Sequence, residues 1–182
     1  MLRHFILIAA FVIAIPSAHS APLVLSASPG TFNAKTLSSP FAKGSISYFV
    51  SLPKTNGSAS WPAAAYIGFH QGPDRNNSVQ FLIIKNKETD QFLVSGYRVV
   101  EAGKEVKVAS LANLPLDAKI PVELSFDNGL VLLKAGNNAP VSFQTALTSV
   151  SYYVSVSSGT AEFEVNPNPS FKRDAALTRT AP

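Results

Sequence analysis

Ile120–Leu133 reads IPVELSFDNGLVLL. Apolar Ile120, Val122, Leu124 and Phe126 alternate with Pro121, Glu123, Ser125 and Asp127. A period of two sends successive side chains to opposite faces of a strand. Asn128-Gly129 follows, a pair that accepts the positive φ angles needed at both central positions of a tight hairpin turn. Leu130–Leu133 then returns as a second strand. The stretch predicts an antiparallel hairpin with one face buried and the other turned to water.

The same period recurs on either side. Leu23–Leu25 opens a strand, and Pro29-Gly30 is a turn signal. In Gly44–Leu52, Ile46, Tyr48, Val50 and Leu52 oppose Ser45, Ser47 and Ser51. Pro53–Pro62 reads as a loop carrying Trp61, Ala65–His70 as a strand and Gln71–Asn77 as a polar loop. Val79–Ile84 (VQFLII) is nearly continuous in apolar residues, which suits a strand covered on both faces. Phe92–Val94 and Tyr97–Val100 read as strands broken at Ser95-Gly96, Val106 and Val108 mark a short strand, and Leu111–Leu116 reads as a connecting loop. Val141–Phe143 and Val150–Val156 are strands, and Ser158-Gly159 turns the chain into Thr160–Val165. Ten or eleven short strands without a helical period predict an all-β, antiparallel, two-sheet sandwich or barrel.

The totals agree with that class. The chain has 182 residues, 46% of them hydrophobic, with 13 Pro, 10 Gly, 12 Phe and 5 Tyr, a composition rich in turn and strand formers. There is no cysteine, which removes disulfides, thiolate metal sites and cysteine nucleophiles, and suits a bacterial envelope protein more than an animal extracellular module. The formal charge is +4 with no Lys/Arg run, so nucleic acid is not an expected partner.

Residues 1–20 read as a signal peptide. Arg3 and His4 precede the apolar run Phe5–Ile15, and Ala18-His19-Ser20 supplies small residues for a cut after Ser20. The run is too short to cross a bilayer core of about 30 Å, and no longer one follows, so no membrane span is expected. The mature chain is expected to be secreted or periplasmic, with one β domain over residues 21–165. Residues 166–182, rich in Pro and basic side chains, are expected to form a flexible tail. Nothing in the sequence specifies an oligomeric state.

Three stretches resemble the concanavalin A-like, or laminin G-like, jelly-roll superfamily. Gly44–Val50 (GSISYFV) leading to Tyr66–Phe69 (YIGF) is similar to its early strand pair. Pro121–Leu132 (PVELSFDNGLVL) resembles its central hairpin, and Ser158–Val165 (SGTAEFEV) its closing strand. The resemblance implies a jelly roll. Its members include lectins, carbohydrate-binding modules, glycan hydrolases and lyases, and adhesive modules. The metal cluster of legume lectins, the ExDxxE strand of the glucanases and the galectin His/Asn/Arg pattern have no counterpart here.

The residues themselves point to binding before catalysis. His70 leads into Gln71–Asn77, a loop dense in hydrogen-bonding groups, and Trp61 and Tyr66 lie just before it. An aromatic ring can stack on a pyranose while Arg, Asp and Asn satisfy its hydroxyls. Trp61, Tyr66, His70, Asp74, Arg75 and Asn76 are therefore the expected ligand residues, with a glycan or another extracellular ligand as partner.

No catalytic set, metal site or cofactor is assigned. Glu162 and Glu164 have the spacing of a glycosidase pair, about 6.5–7 Å along one strand face, but two acids on a solvent-facing edge also guard against aggregation. Glu123 and Asp127 share the polar face of the hairpin. Asp74 with Asn76 and Asn77 offers oxygen ligands but one carboxylate. The chain has three histidines, and the leader takes His4 and His19, so a Ser/His/Asp triad or a zinc site would depend on His70 alone. The alternatives to a binding module are a hydrolase or lyase of the same fold and a structural or adhesive surface protein.

Overall fold

The computed structural model describes residues 21–58, 60–86 and 91–168. Residues 1–20, read from the sequence as a signal peptide, and the part of the expected tail beyond Asn168 lie outside them. Ten strands and no helix occur among the described residues: β1 (Leu23–Thr36), β2 (Lys43–Thr55), β3 (Ala64–Gln71), β4 (Asn77–Lys85), β5 (Leu93–Glu101), β6 (Lys104–Leu114), β7 (Lys119–Asp127), β8 (Leu130–Ala135), β9 (Val141–Gln144) and β10 (Ser151–Val165).

All pairings are antiparallel, and they form one continuous hydrogen-bonded sheet in the order β6-β5-β4-β3-β10-β2-β7-β8-β9, with β1 beside β10. The sheet curls until its two halves face each other. Phe69 on β3 meets Phe126 on β7 with ring centroids 5.3 Å apart. Tyr97 on β5 stacks on Phe143 of β9 at 5.5 Å, and the Lys107 ammonium lies over the Phe143 ring at 4.7 Å, closing that rim. Between the halves lies one core, including Val50, Ile67, Phe69, Phe81, Leu124, Phe126, Val154 and Phe163. Burying side chains of this size contributes about 1.5–3 kcal/mol each, which holds the curl without cross-links.

The hairpin forms as its sequence predicts. Asp127 pairs with Leu130, and Asn128 and Gly129 both have positive φ, 48° and 91°. Val122, Leu124 and Phe126 are buried. Glu123, expected on a solvated face, is buried as well.

Several boundaries differ from the sequence reading, and at three of them a break signal marks an irregularity inside a strand. Ser95-Gly96 does not divide β5; the register with β6 shifts there instead. Leu111–Leu114 belongs to β6 and is not a loop, its pairing with Leu93 and Val94 outweighing the loop-like sequence. Pro29-Gly30 sits in a bulge of β1, where Ser28–Thr31 opposes Ser158 alone. A bulge tolerates the missing proline N–H and the positive φ of Gly30.

Ser158-Gly159 is likewise not a turn, because β10 runs straight through it. β1 follows one edge of β10 on both sides of Ser158. The other edge changes partner: Ser151–Ser157 pairs with β3, and Gly159–Val165 with β2. The two halves of the curl therefore diverge from one strand at Ser158, which is fully buried and has φ of 45°. Its Oγ accepts the Gly30 N–H at 2.9 Å, and its carbonyl accepts the Asn56 N–H at 2.8 Å.

Candidate functional site

Along β3, β4, β5 and the first part of β10, alternation sends Ile67, Phe69, Val79, Phe81, Tyr97 and Val154 into the core. The opposite face is not a plain solvated surface. The register lines up Thr36, Tyr153, Gly68, Gln80 and Arg98 as one row across five strands. Gly68 leaves that row open between Tyr153 and Gln80. No larger residue fits there, since a Cβ would fall 2.1 Å from the Val79 carbonyl oxygen. On one flank the register sets Ser155 opposite Tyr66; on the other it aligns His70, Ser78, Val100 and Glu105.

A cleft of about 280 Å³ lies over this row, lined by Phe32, Arg75, Asn76, Gln80, Arg98, Glu105 and Tyr153 among others. Phe32 is 46% exposed, and its ring lies 6.0 Å from that of Tyr66. The polar groups are held in place. Gln80 accepts from Arg98 Nε at 2.7 Å and donates to Ser78 Oγ at 2.9 Å. Arg98 Nη1 bonds Glu105 at 2.8 Å, and its guanidinium lies over Tyr66 at 5.2 Å. Such a network fixes side chains before a ligand arrives, which lowers the ordering cost of binding.

Arg75 reaches the same cleft from the β3–β4 loop. Asp74 accepts from the Asn76 backbone N–H at 3.2 Å and from Asn76 Nδ2 at 2.6 Å. The loop is tied to the β5–β6 turn, where Gly103 N–H donates to the Asn76 carbonyl and Ala102 N–H to Asn77 Oδ1. These contacts hold Arg75 at φ of 58°, with its guanidinium 5.3 Å from the Tyr153 ring centroid and 5.8 Å from that of Phe32.

Two of the groups able to move a proton here, Tyr153 and His70, are covered. Tyr153 is buried, and burial pushes its phenol well above the ordinary value. His70 is buried too. Its Nδ1 lies 2.6 Å from the Gly72 carbonyl, which can only accept, so that nitrogen carries the hydrogen; Nε2 lies 3.4 Å from Thr36 Oγ1. Glu105, the carboxylate in the cleft lining, is ion-paired with Arg98.

No protein-family model matches the sequence, and no curated relative matches it. Solved structures match in shape. A carbohydrate-binding module of Bacillus subtilis, CBM66, superposes with a TM-score of 0.52 at 12% identity, covering 74% of this chain and 79% of its own. An alginate lyase from Alteromonas sp. 272 superposes with a TM-score of 0.55 at 10% identity, covering 85% of this chain and 89% of its own. The chain has the concanavalin A-like jelly-roll fold. At these identities the likeness extends to the fold alone.

Within this jelly roll, Arg75 and Asn76 line the cleft and Tyr66 stands at its edge beside Phe32 and Arg98. His70 lies beneath, packed edge-on against Tyr153 with ring centroids 5.2 Å apart. Asp74 shapes the loop. Trp61 is elsewhere: it precedes the start of β3, about 20 Å along the strand from His70, and does not line the cleft. The acids singled out in the sequence lie on the other half of the jelly roll. Glu162 and Glu164 share a face of β10, which is an interior strand and not an edge, and Glu164 is ion-paired with Lys119. Glu123 lines a second depression with Phe49, Lys134 and Asn166, and Asp127 pairs with Lys43.

Phe32, Gln80, Arg98, Glu105 and Tyr153 were not singled out from the sequence. Two of them carry a signal. Gln80 interrupts VQFLII and Arg98 interrupts YRVV, each a lone polar residue at the outward position of an otherwise apolar strand.

Proposed function

We propose that the mature chain is exported and binds a carbohydrate in the cleft over the Tyr153–Gly68–Gln80–Arg98 row, without turning it over. One observation carries the reading: exposed Phe32 and half-buried Tyr66 flank a fixed set of Arg, Gln and Asn side chains across one sheet face. Rings that take the CH face of a sugar, beside preset donors and acceptors, are what a polyhydroxylated ligand requires. The carbohydrate-binding module among the structural neighbours supports it. So do the burial of His70 and Tyr153 and the pairing of Glu105 with Arg98. Titration calorimetry against a panel of soluble polysaccharides tests it. At least one should bind, and a Phe32→Ala/Tyr66→Ala double variant should lose that binding; full affinity in the double variant would sink the reading.

Glycan lyase activity is the second reading, favoured by the contact between His70 and Tyr153 under a cleft that holds Arg98, and by the alginate lyase neighbour. It predicts rising ultraviolet absorbance from unsaturated sugar when the protein is incubated with acidic polysaccharides. A flat trace at high protein concentration argues against it.

A further inference from the structure

We infer that the cleft selects a glycan bearing an anionic group, a carboxylate or a sulfate on the sugar ring, and that Arg75 is the residue that holds it. The inference rests on the carbohydrate-binding reading above and narrows its ligand.

The charge in the cleft is unbalanced. Two guanidiniums, Arg75 and Arg98, line it against the single carboxylate of Glu105. That carboxylate is taken by Arg98, whose Nε is also engaged, by Gln80. Arg75 has no ion pair among the described residues, and its Nε is buried without a hydrogen-bond partner. Its partners are two ring faces, Phe32 and Tyr153, which hold the guanidinium in place but use none of its donors. A planar fork with unused N–H groups matches the paired oxygens of a carboxylate or sulfate. Partial burial strengthens such a pair over one formed in open water.

The backbone adds an independent observation. Arg75 sits at φ of 58°, a conformation that glycine or asparagine adopts far more readily. The Asp74–Asn76 contacts and the ties to Ala102 and Gly103 impose it. Strain of this kind persists where the surroundings hold a residue for a purpose other than stability. Here its effect is to fold the side chain back over the cleft instead of into solvent.

The test is calorimetric titration of the full chain with a polyuronate, a sulfated dextran and neutral dextran, at low and high salt. At least one acidic polymer should bind at least tenfold more tightly than the neutral one, and its affinity should fall as salt rises. The uronate and sulfate arms then tell which anion is held. Arg75→Gln should weaken acidic binding at least tenfold and neutral binding by a much smaller factor. Arg75→Gly removes the backbone strain, so it should fold at least as well as the parent and still lose acidic binding. Lys43→Gln, on the other half of the molecule, should change nothing. Neutral binding equal to acidic binding, or acidic binding untouched in both Arg75 variants, overturns the inference while leaving glycan binding in place. An equal loss in Lys43→Gln overturns it too, because the attraction would then be diffuse. Absence of binding to every polymer removes the carbohydrate reading itself.

Discussion

The Gly30 N–H donates to the Ser158 hydroxyl across 2.9 Å, joining the bulge of β1 to the point where β10 changes partner. Both strands depart from regular geometry there, with φ of 72° at Gly30 and 45° at Ser158. The contact pins the irregularity of one strand to that of the other, and the curl of the sheet starts from it.

Removing the hydroxyl should loosen that junction. Ser158→Ala leaves the Gly30 N–H without its acceptor, and the expected loss is about 1–2 kcal/mol. Ser158→Val should lose more, about 3 kcal/mol, because a β-branched side chain at positive φ adds strain in a fully buried position. Urea denaturation midpoints check both, and a valine variant as stable as the alanine variant would contradict the strain argument.

The hairpin turn gives a sharper expectation. At Gly129, with φ of 91°, an added Cβ would lie 2.6 Å from Gln144 Nε2 and 2.8 Å from the Thr145 carbonyl oxygen. Gly129→Ala should therefore destabilise by about 2 kcal/mol or more, with strain and overlap acting together. Asn128→Gly, which keeps the turn geometry, should change stability by less than about 1 kcal/mol. Thermal unfolding of the two variants orders them.

In the cleft, binding and stability should separate. Phe32 is half exposed, so Phe32→Ala should lower stability by no more than about 1 kcal/mol yet weaken glycan binding about tenfold, or 1.4 kcal/mol. Trp61→Ala should leave binding unaltered, since Trp61 stands at the far end of β3. Calorimetry on the two single variants checks the pair, and the reverse pattern would move the site to the β2–β3 loop.

Alkaline titration should expose the covered tyrosines. Burial raises both Tyr152 and Tyr153 well above the ordinary phenol value of 10.0. Their stabilising contribution is complete below pH 10. Above it the unfolded chain releases phenolic protons that the folded chain keeps, so stability falls by about 1.4 kcal/mol per pH unit for each until the folded values are reached. Denaturant unfolding between pH 9 and 12 should show that slope, and Tyr152→Phe should reduce it.

Regular alternation made most strands legible. Gly44–Leu52, Ala65–His70 and the hairpin could be read because one face of each is apolar and the other is not. Ser158-Gly159 and Ser95-Gly96 could not, because the residues that break a strand are also those that let it bend or bulge, and only the pairing distinguishes the two. The binding loop with Arg75 and Asn76 was visible as a cluster of polar residues. Its counterparts Gln80, Arg98 and Tyr153 come from three different strands, and only the register brings them into one row. Trp61 misled for the opposite reason: nearness in sequence to Tyr66 became distance along an extended strand.

The pairing of β1 with β10 governs when the molecule can take shape. Its earliest strand finds its mate only in its latest, so the loop to be closed includes nearly every residue between. Contacts so remote in sequence form slowly. On a polypeptide emerging from the ribosome the neighbouring strands β3 to β6 and β7 to β9 meet early, whereas β1 has no mate until β10 has been made.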